Sequence, residues 1–346
     1  MSNDKDNDEI NISEEEIKQS QESNNVKPIR PVQYVKPLKL SDMQSEKPPI
    51  KEFAIYPILP IQGIIFIFAA TGVGKTLFSL NLAYAIAGGG NFLKYKAPKP
   101  RKVLYIDGEM SYVDIYQRLM QIIKQQNDLD FPDNFLIYTP DKMIPEGFTA
   151  PIKMPKICTV EGQEFYNAVI EKNDIDIIFI DNLAVLTTID LNSGEEWHTV
   201  EDWLLKLRAK GKTLGIVHHA GKDVQGYRGT SRMLDTIDTA ISLQILENQT
   251  TESTDSPNDS IINSKKFKIV YKKNRSFWGD DANPYEATLI NDKWLYRNIE
   301  LSNMDKVIEC LNAGMNQRDI AKELFMSQTT VHRMIKKARK LGLIKD

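Results

Sequence analysis

The stretch from Gly63 to Gly90, GIIFIFAATGVGKTLFSLNLAYAIAGGG, constrains the fold of this chain more than any other. Ile64 to Ala69 are apolar without interruption, the pattern of a strand buried on both faces. The turn Ala70-Thr71-Gly72-Val73-Gly74 follows, and Lys75-Thr76 open a helix with apolar residues at Leu77, Leu80, Ala83 and Tyr84. In such a unit the N–H groups of the turn converge with the unpaired N–H groups at the helix start, which makes a cradle for phosphate. Glycine at 72 and 74 permits backbone angles and a close approach that a Cβ would block. Lys75 would reach the β- and γ-phosphates and the Thr76 hydroxyl would ligate Mg²⁺, with Thr71, Gly72, Val73, Gly74 and Leu77 completing the cradle. The strict pattern has glycine at position 69, where this chain has Ala69. A glycine-rich turn with an accidental Lys-Thr is the competing reading, and the flanking strand and helix argue against it.

The chain has 346 residues, enough for about two domains. No apolar run approaches the roughly 18 residues needed to cross a bilayer. The first 30 residues are polar and acidic, unlike a secretory signal. Cys158 and Cys310 lie far apart without metal-ligand spacing, which excludes the usual zinc site and fits a reducing, cytoplasmic setting. The net charge of −3 excludes a uniformly basic surface, but the ends differ. Residues 1–24 are rich in Asp and Glu, whereas 327–346 are rich in Lys and Arg. Residues 1–50 hold few apolar positions, an acidic start and then a Pro/Lys-rich run, so a disordered tail is expected there, with an ATP-binding α/β body over 51–300.

Beyond the cradle, a basic linker runs from Lys94 to Lys102. Val103 to Asp107 then reads as a second buried strand, followed by Gly108-Glu109 and a helix from Tyr112 capped by Ser111. A carboxylate just past a strand's carboxyl end lies where open α/β sheets bind ligands. Glu109 is therefore the candidate to orient and deprotonate an attacking water, with Asp107 supporting it or the metal. A short strand over 135–138, a helix over 162–172 and the strand Asp176 to Asp181 follow, the last feeding Asp181 to Mg²⁺. Residues 182–197 read as a polar loop, 199–210 as a helix and 213–218 as a strand ending at His218-His219. Adjacent histidines on a strand face opposite ways, so one of them at most serves the site. The glycine-punctuated loop over 221–232 carries Lys222, Arg228 and Arg232, placed to touch DNA or to deliver an arginine to a neighbouring subunit. Antiparallel strands over 239–247 and 265–274 flank a polar loop expected to be disordered, and 286–297 reads as a hairpin turning at Asn291-Asp292.

From Asn303 three helices fit, over 304–312, 317–324 and 328–340. Ala321, the Met326-Ser327 turn and apolar Ile320, Leu324, Val331 and Ile335 match a helix-turn-helix, with Phe325 where many such turns have glycine. Its third helix projects Gln328, Thr329, Thr330, His332 and Arg333 toward base edges, with Lys336 and Lys337 suited to phosphates. A three-helix bundle that binds protein through a solvated basic face is the alternative.

Taken in order, AATGVGKT, VLYIDGE, IIFID, GIVHHAGK and YRGTSRMLDT are similar to the RecA-fold ATPases of the plasmid RepA type, small hexameric replicative helicases. The resemblance covers roughly residues 40–300. It implies a RecA-like core with a mainly parallel sheet, ATP and Mg²⁺ as ligands, a homo-oligomeric ring and single-stranded DNA as partner. It further implies Lys75 and Thr76 on phosphate and Mg²⁺, Glu109 as catalytic acid, Asp181 as metal-associated acid and His219 as γ-phosphate sensor. Arg228 matches the arginine supplied across the subunit interface, and the family's loop often begins with alanine, as at Ala69. The small all-α helix-turn-helix over 303–346 lies outside the minimal family pattern and adds duplex DNA as a candidate partner.

Overall fold

A computed structural model describes residues 37–46, 50–126, 133–190, 193–219, 231–251, 262–290 and 293–344. Lys222, Arg228, the Asn291-Asp292 turn and residues 1–36 of the expected tail lie outside the described residues. Within the tail, Leu40–Ser45 forms a six-residue helix that buries no side chain, a departure from the expected lack of structure.

Nine strands form one sheet: β1 (Ile64–Ala69), β2 (Val103–Asp107), β3 (Phe135–Tyr138), β4 (Ile177–Asp181), β5 (Thr213–His219), β6 (Thr239–Thr251), β7 (Ile262–Asn274), β8 (Tyr285–Ile290) and β9 (Lys293–Asn298). Their spatial order is β9-β8-β7-β6-β1-β5-β4-β2-β3. From β6 through β3 every pairing is parallel, while β6 to β9 run antiparallel to one another. The cradle strand β1 therefore sits inside the sheet, and its six residues are all buried. Ile65 and Ile67 pack on one face beneath α1 (Lys75–Gly88) and α2 (Tyr112–Gln125). Ile64, Phe66 and Phe68 pack on the other, beneath α3 (Val160–Lys172) and α5 (Gly194–Ala209). This period-two split is what a strand covered by helices on both faces requires.

Several elements differ from the sequence expectation. Helix α1 is buried almost all round, from Phe78 to Ala87, because the Trp294 indole of the β8–β9 hairpin closes over Phe78 and Phe92. The linker after α1 begins as a two-stranded hairpin, Asn91–Phe92 with Tyr95–Lys96, whose Tyr95 hydroxyl bonds those of Tyr271 and Tyr285. Aromatic burial there outweighs the basic composition. The polar stretch after Asp181 forms α4 (Leu183–Leu186), and α5 begins at Gly194, where Ser193 accepts from the Glu196 N–H. Strands β6 and β7 extend to Thr251 and from Ile262, further into the polar loop than expected, because their backbones go on pairing to that point.

Helix α6 (Ile299–Asn312) starts directly after β9, and Arg297 bridges Glu286 and Asp305 to tie the hairpin to it. With α7 (Gln317–Glu323) and α8 (Gln328–Lys340) it encloses a separate small core of Met304, Val307, Ile320, Val331, Met334 and Ile335. Between α7 and α8, Phe325 has φ +51° and is 97% exposed, so the turn forms without glycine. That backbone region costs a side-chain-bearing residue about 1–2 kcal/mol, and among the described residues this ring gains no packing to offset it. Glycine would relieve the crowding at a backbone-entropy cost of about 0.5–1 kcal/mol. Phe325→Gly should therefore stabilise the C-terminal helices by up to about 1 kcal/mol. Denaturant unfolding followed on residues 299–346 checks this, and a destabilised variant would contradict it.

Candidate active site

Register sets the site. In the sheet Ala69 pairs with His219 and Asp107 pairs with Asp181, so the carboxyl ends of β1, β5, β4 and β2 bring four chemically active termini to one edge. Above them lies a cavity of about 610 Å³ lined by Thr71, Gly72, Gly74, Lys75, Thr76 and Leu77 on one side and Glu109, Asp181 and His219 on the other. Val73, the remaining cradle residue, turns its side chain into the core.

The cradle has the shape that phosphate needs. Gly72 and Gly74 adopt φ +76° and +106°, and a Cβ at Gly72 would meet open space, so the backbone angle is what calls for glycine there. Gly74 also forms the N-terminal boundary of α1, so the helix's first N–H groups open toward the cavity. Lys75 is only 6% exposed, and its ammonium donates to the carbonyls of Ala69 (3.2 Å) and Ala70 (3.0 Å) and lies 3.2 Å from His219 Nδ1. Burial lowers its pKa, while the charges of Asp181 and Glu109 act to raise it. A polyanion would compensate that burial.

Asp181 is buried, accepts from the Tyr105 hydroxyl at 2.7 Å and is bonded by the Thr76 hydroxyl. Ser79 Oγ lies 2.6 Å behind Tyr105 and braces it. A buried carboxylate beside a helix-start hydroxyl is a hard-oxygen donor set suited to Mg²⁺ completed by phosphate and water. Among the described residues no group of three or more His, Cys, Asp or Glu gathers to hold a metal. Burial first, then the charge of Asp107, pushes the pKa of Asp181 up to about 6.

Because that pKa is raised above the unfolded value, the folded chain holds the proton more tightly between the two values. Without ligand, the contribution of Asp181 to stability is therefore full below the unfolded value and is lost as pH rises through about 6, by about 2–3 kcal/mol in all. Asp181→Asn should remove this loss and stabilise the ligand-free protein at pH 8. Urea unfolding across pH 4–8 reads it, and an unaltered profile in the variant would refute the assignment.

Asp107 supports the site indirectly. Its Oδ1 accepts from the N–H groups of Glu109 (2.8 Å) and Met110 (2.7 Å) and so fixes the turn that presents Glu109. Burial raises its pKa, partly offset by those two N–H groups. The Glu109 side chain is 48% exposed and faces the cavity. His219 Nδ1 faces Lys75 and Thr71 Oγ1, whereas His218 is buried against Phe66 on the opposite face.

Residues that sequence reasoning passed over also line the cavity. Asn182 donates to Glu109 Oε1, and Arg118 on α2 sits close enough for its charge to act on Asp107. On α8, Gln328, Thr329, His332, Arg333, Lys336 and Lys337 are exposed, while Val331, Met334, Ile335 and Ala338 are buried. Thr330 differs, because its hydroxyl lies 2.7 Å from that of Ser327, the cap of α8. Arg232 lies in a short 3₁₀ turn (Ser231–Leu234) after the undescribed loop.

Known proteins provide a separate comparison. No curated protein matches the chain in sequence. Among solved structures, a KaiC-like protein from the hyperthermophilic archaeon Pyrococcus horikoshii OT3 is similar over 70% of this chain and 93% of that one, at 13% identity and a TM-score of 0.42. Residues 308–345 match a family described as winged helix-turn-helix DNA-binding. The body is a RecA-like P-loop core, with a mostly parallel sheet and helices on both faces, joined to a helical helix-turn-helix region. Residues 30–225, more than half of the chain, match the AAA domain family AAA_25, and the chain belongs to that family.

Proposed function

We propose that this P-loop ATPase is a ring-forming, ATP-dependent DNA translocase or helicase, working in the cytoplasm on single-stranded DNA during replication of a plasmid or mobile element. The observation that carries the reading is the convergence of Lys75, Thr76, Glu109, Asp181 and His219 around one cavity at the carboxyl edge of the sheet. Lys75, Thr76 and the glycine turn would hold the triphosphate, and Thr76 with Asp181 would hold Mg²⁺, which neutralises charge on the phosphates. Glu109 would take the proton of the attacking water, and His219 would register the γ-phosphate. Arg228 would complete the site of a neighbouring subunit, most simply in a hexamer. Lys222 and Arg232, in the glycine-punctuated sequence that follows β5, would contact DNA phosphates. The division into a tail to residue 50, an ATPase body over 51–300 and a DNA-binding unit over 303–346 belongs to the same proposal. No described helix is long and apolar enough to cross a membrane.

The exposed face of α8 favours a second reading, a duplex-DNA regulator switched by ATP. Gln328, Thr329, Thr330, His332 and Arg333 would then read bases, with Lys336 and Lys337 on phosphates. Strand displacement on a forked duplex, absent in Lys75→Ala, tests the first reading, with imaging of rings in a non-hydrolysable ATP analogue. Tight duplex binding through residues 303–346, with turnover indifferent to single strands, would replace it with the second.

A further inference from the structure

We infer that Asn182 is a positioning residue that joins Glu109 and His219 into one hydrogen-bonded unit and sets the tautomer of His219. The inference deepens the proposed ATP chemistry and rests on that reading for its role in turnover.

Asn182 is 2% exposed, and its amide orientation is settled by its neighbours. Oδ1 accepts from the Val185 N–H at 3.2 Å, the cap of α4. The amide nitrogen therefore faces Glu109 Oε1 at 2.7 Å and His219 Nε2 at 3.2 Å. The reverse orientation would set an amide oxygen against a carboxylate and an N–H against an N–H. An amide nitrogen carries two hydrogens, one for each partner. A hydrogen bond to Nε2 needs the lone pair there, which places the proton of a neutral His219 on Nδ1.

Nδ1 faces the phosphate cradle, 3.2 Å from Lys75 Nζ and 3.4 Å from Thr71 Oγ1. Lys75 is a donor only, so in the ligand-free arrangement both ring nitrogens of His219 face N–H donors, Lys75 and Asn182. A neutral ring accepts from one of them. Lys75 favours the proton on Nε2, and Asn182 favours it on Nδ1. Once the Lys75 ammonium turns to an anion in the cradle, it no longer opposes Asn182, whose donor at Nε2 favours the proton on Nδ1 against the more distant Glu109 Oε1, 3.9 Å from Nε2. Nδ1–H is then a donor aimed at the cradle, while the other amide hydrogen keeps Glu109 in place. Occupancy of the cradle is thereby linked to the aim of the catalytic carboxylate through one buried amide.

The test does not need nucleotide. In ligand-free Lys75→Met, the competing ammonium is gone, and long-range ¹H–¹⁵N spectra should show His219 as the Nδ1–H tautomer, with the signal assigned by its loss in His219→Gln. Adding Asn182→Ser retains an N-cap residue and removes the amide donor, so the preference should be lost. If that variant fails to fold, Asn182→Asp, equal in shape, should move the proton to Nε2. An unchanged tautomer in the folded double variant overturns the inference, whether or not the protein hydrolyses ATP. In the otherwise native chain, Asn182→Ser should lower kcat about 10–10²-fold, in line with the loss of a supporting hydrogen bond, with affinity for an ATP analogue held within about threefold. Unchanged kcat would likewise count against it. A wild-type chain that binds no ATP would end the ATPase reading while leaving the tautomer result to be judged by itself.

Discussion

Arg228→Ala is expected to lower kcat for ATP by about 10³–10⁵-fold, the range found when a phosphoryl-transfer site loses an arginine supplied from outside. The proposed role of an outside cation rests on how open the site is. Thr71, Gly72 and Glu109 are all exposed, so among the described residues the side of the cavity where the γ-phosphate would lie is open to water. Water there weakens every charge interaction that a closed site would strengthen. A neighbouring subunit would both cover the opening and bring a positive charge to it. Competing sources of charge are Arg118 and Lys265, which line the same cavity from within the chain. Inside and outside sources are separated by mixing. Arg228→Ala and Glu109→Gln subunits, each inactive alone, should recover turnover in mixed assemblies, because some interfaces then pair an intact acid with an intact arginine. Arg118→Ala should not substitute for Arg228→Ala in that complementation. If assembly is intact and the mixture stays inactive, Arg228 does not act across an interface.

How much of this site could be read in advance follows from what each residue shares with its neighbours in sequence. The cradle was legible because glycines, Lys75 and Thr76 are contiguous and flanked by an apolar strand. Asp181 and Glu109 were legible because parallel strands buried on both faces leave continuous apolar runs that end in a charge. Tyr105 was not, since within VLYID it reads as one more apolar strand residue, and only the fold turns its hydroxyl onto Asp181. Asn182 was hidden because the segment after Asp181 looked like a polar loop. A signal for the helix that follows was nonetheless present, in the pattern Ser193-Gly-Glu-Glu196 of a capping box. The parallel pairing of β6 with β1 joins residues far apart in the chain, and no local pattern announces it. Residue type narrowed the histidines to one per face, the family resemblance pointed to His219, and the structure sets His219 rather than His218 against the cradle.

The second large effect concerns the base. Glu109→Gln should reduce kcat by about 10²–10⁴-fold, the usual contribution of a positioned proton acceptor, while ATP affinity changes by no more than a few-fold. Glutamine can still accept from the Asn182 amide through its own oxygen, so the hydrogen-bonded arrangement at 2.7 Å survives and only the basic carboxylate is lost. Asp107 cannot take over: it is 1% exposed, and its Oδ1 is engaged by the N–H groups of Glu109 and Met110. Asp107→Asn should instead act through the turn, disturbing Glu109 and nucleotide affinity together, whereas Glu109→Gln separates the two. Single-turnover hydrolysis alongside equilibrium binding of ATP makes that separation visible. A Glu109→Gln chain that turns over at the wild-type rate would remove Glu109 as the base. The Asp107 carboxylate is buried, so the proton acceptor would then have to be sought first at His219, which lines the same cavity.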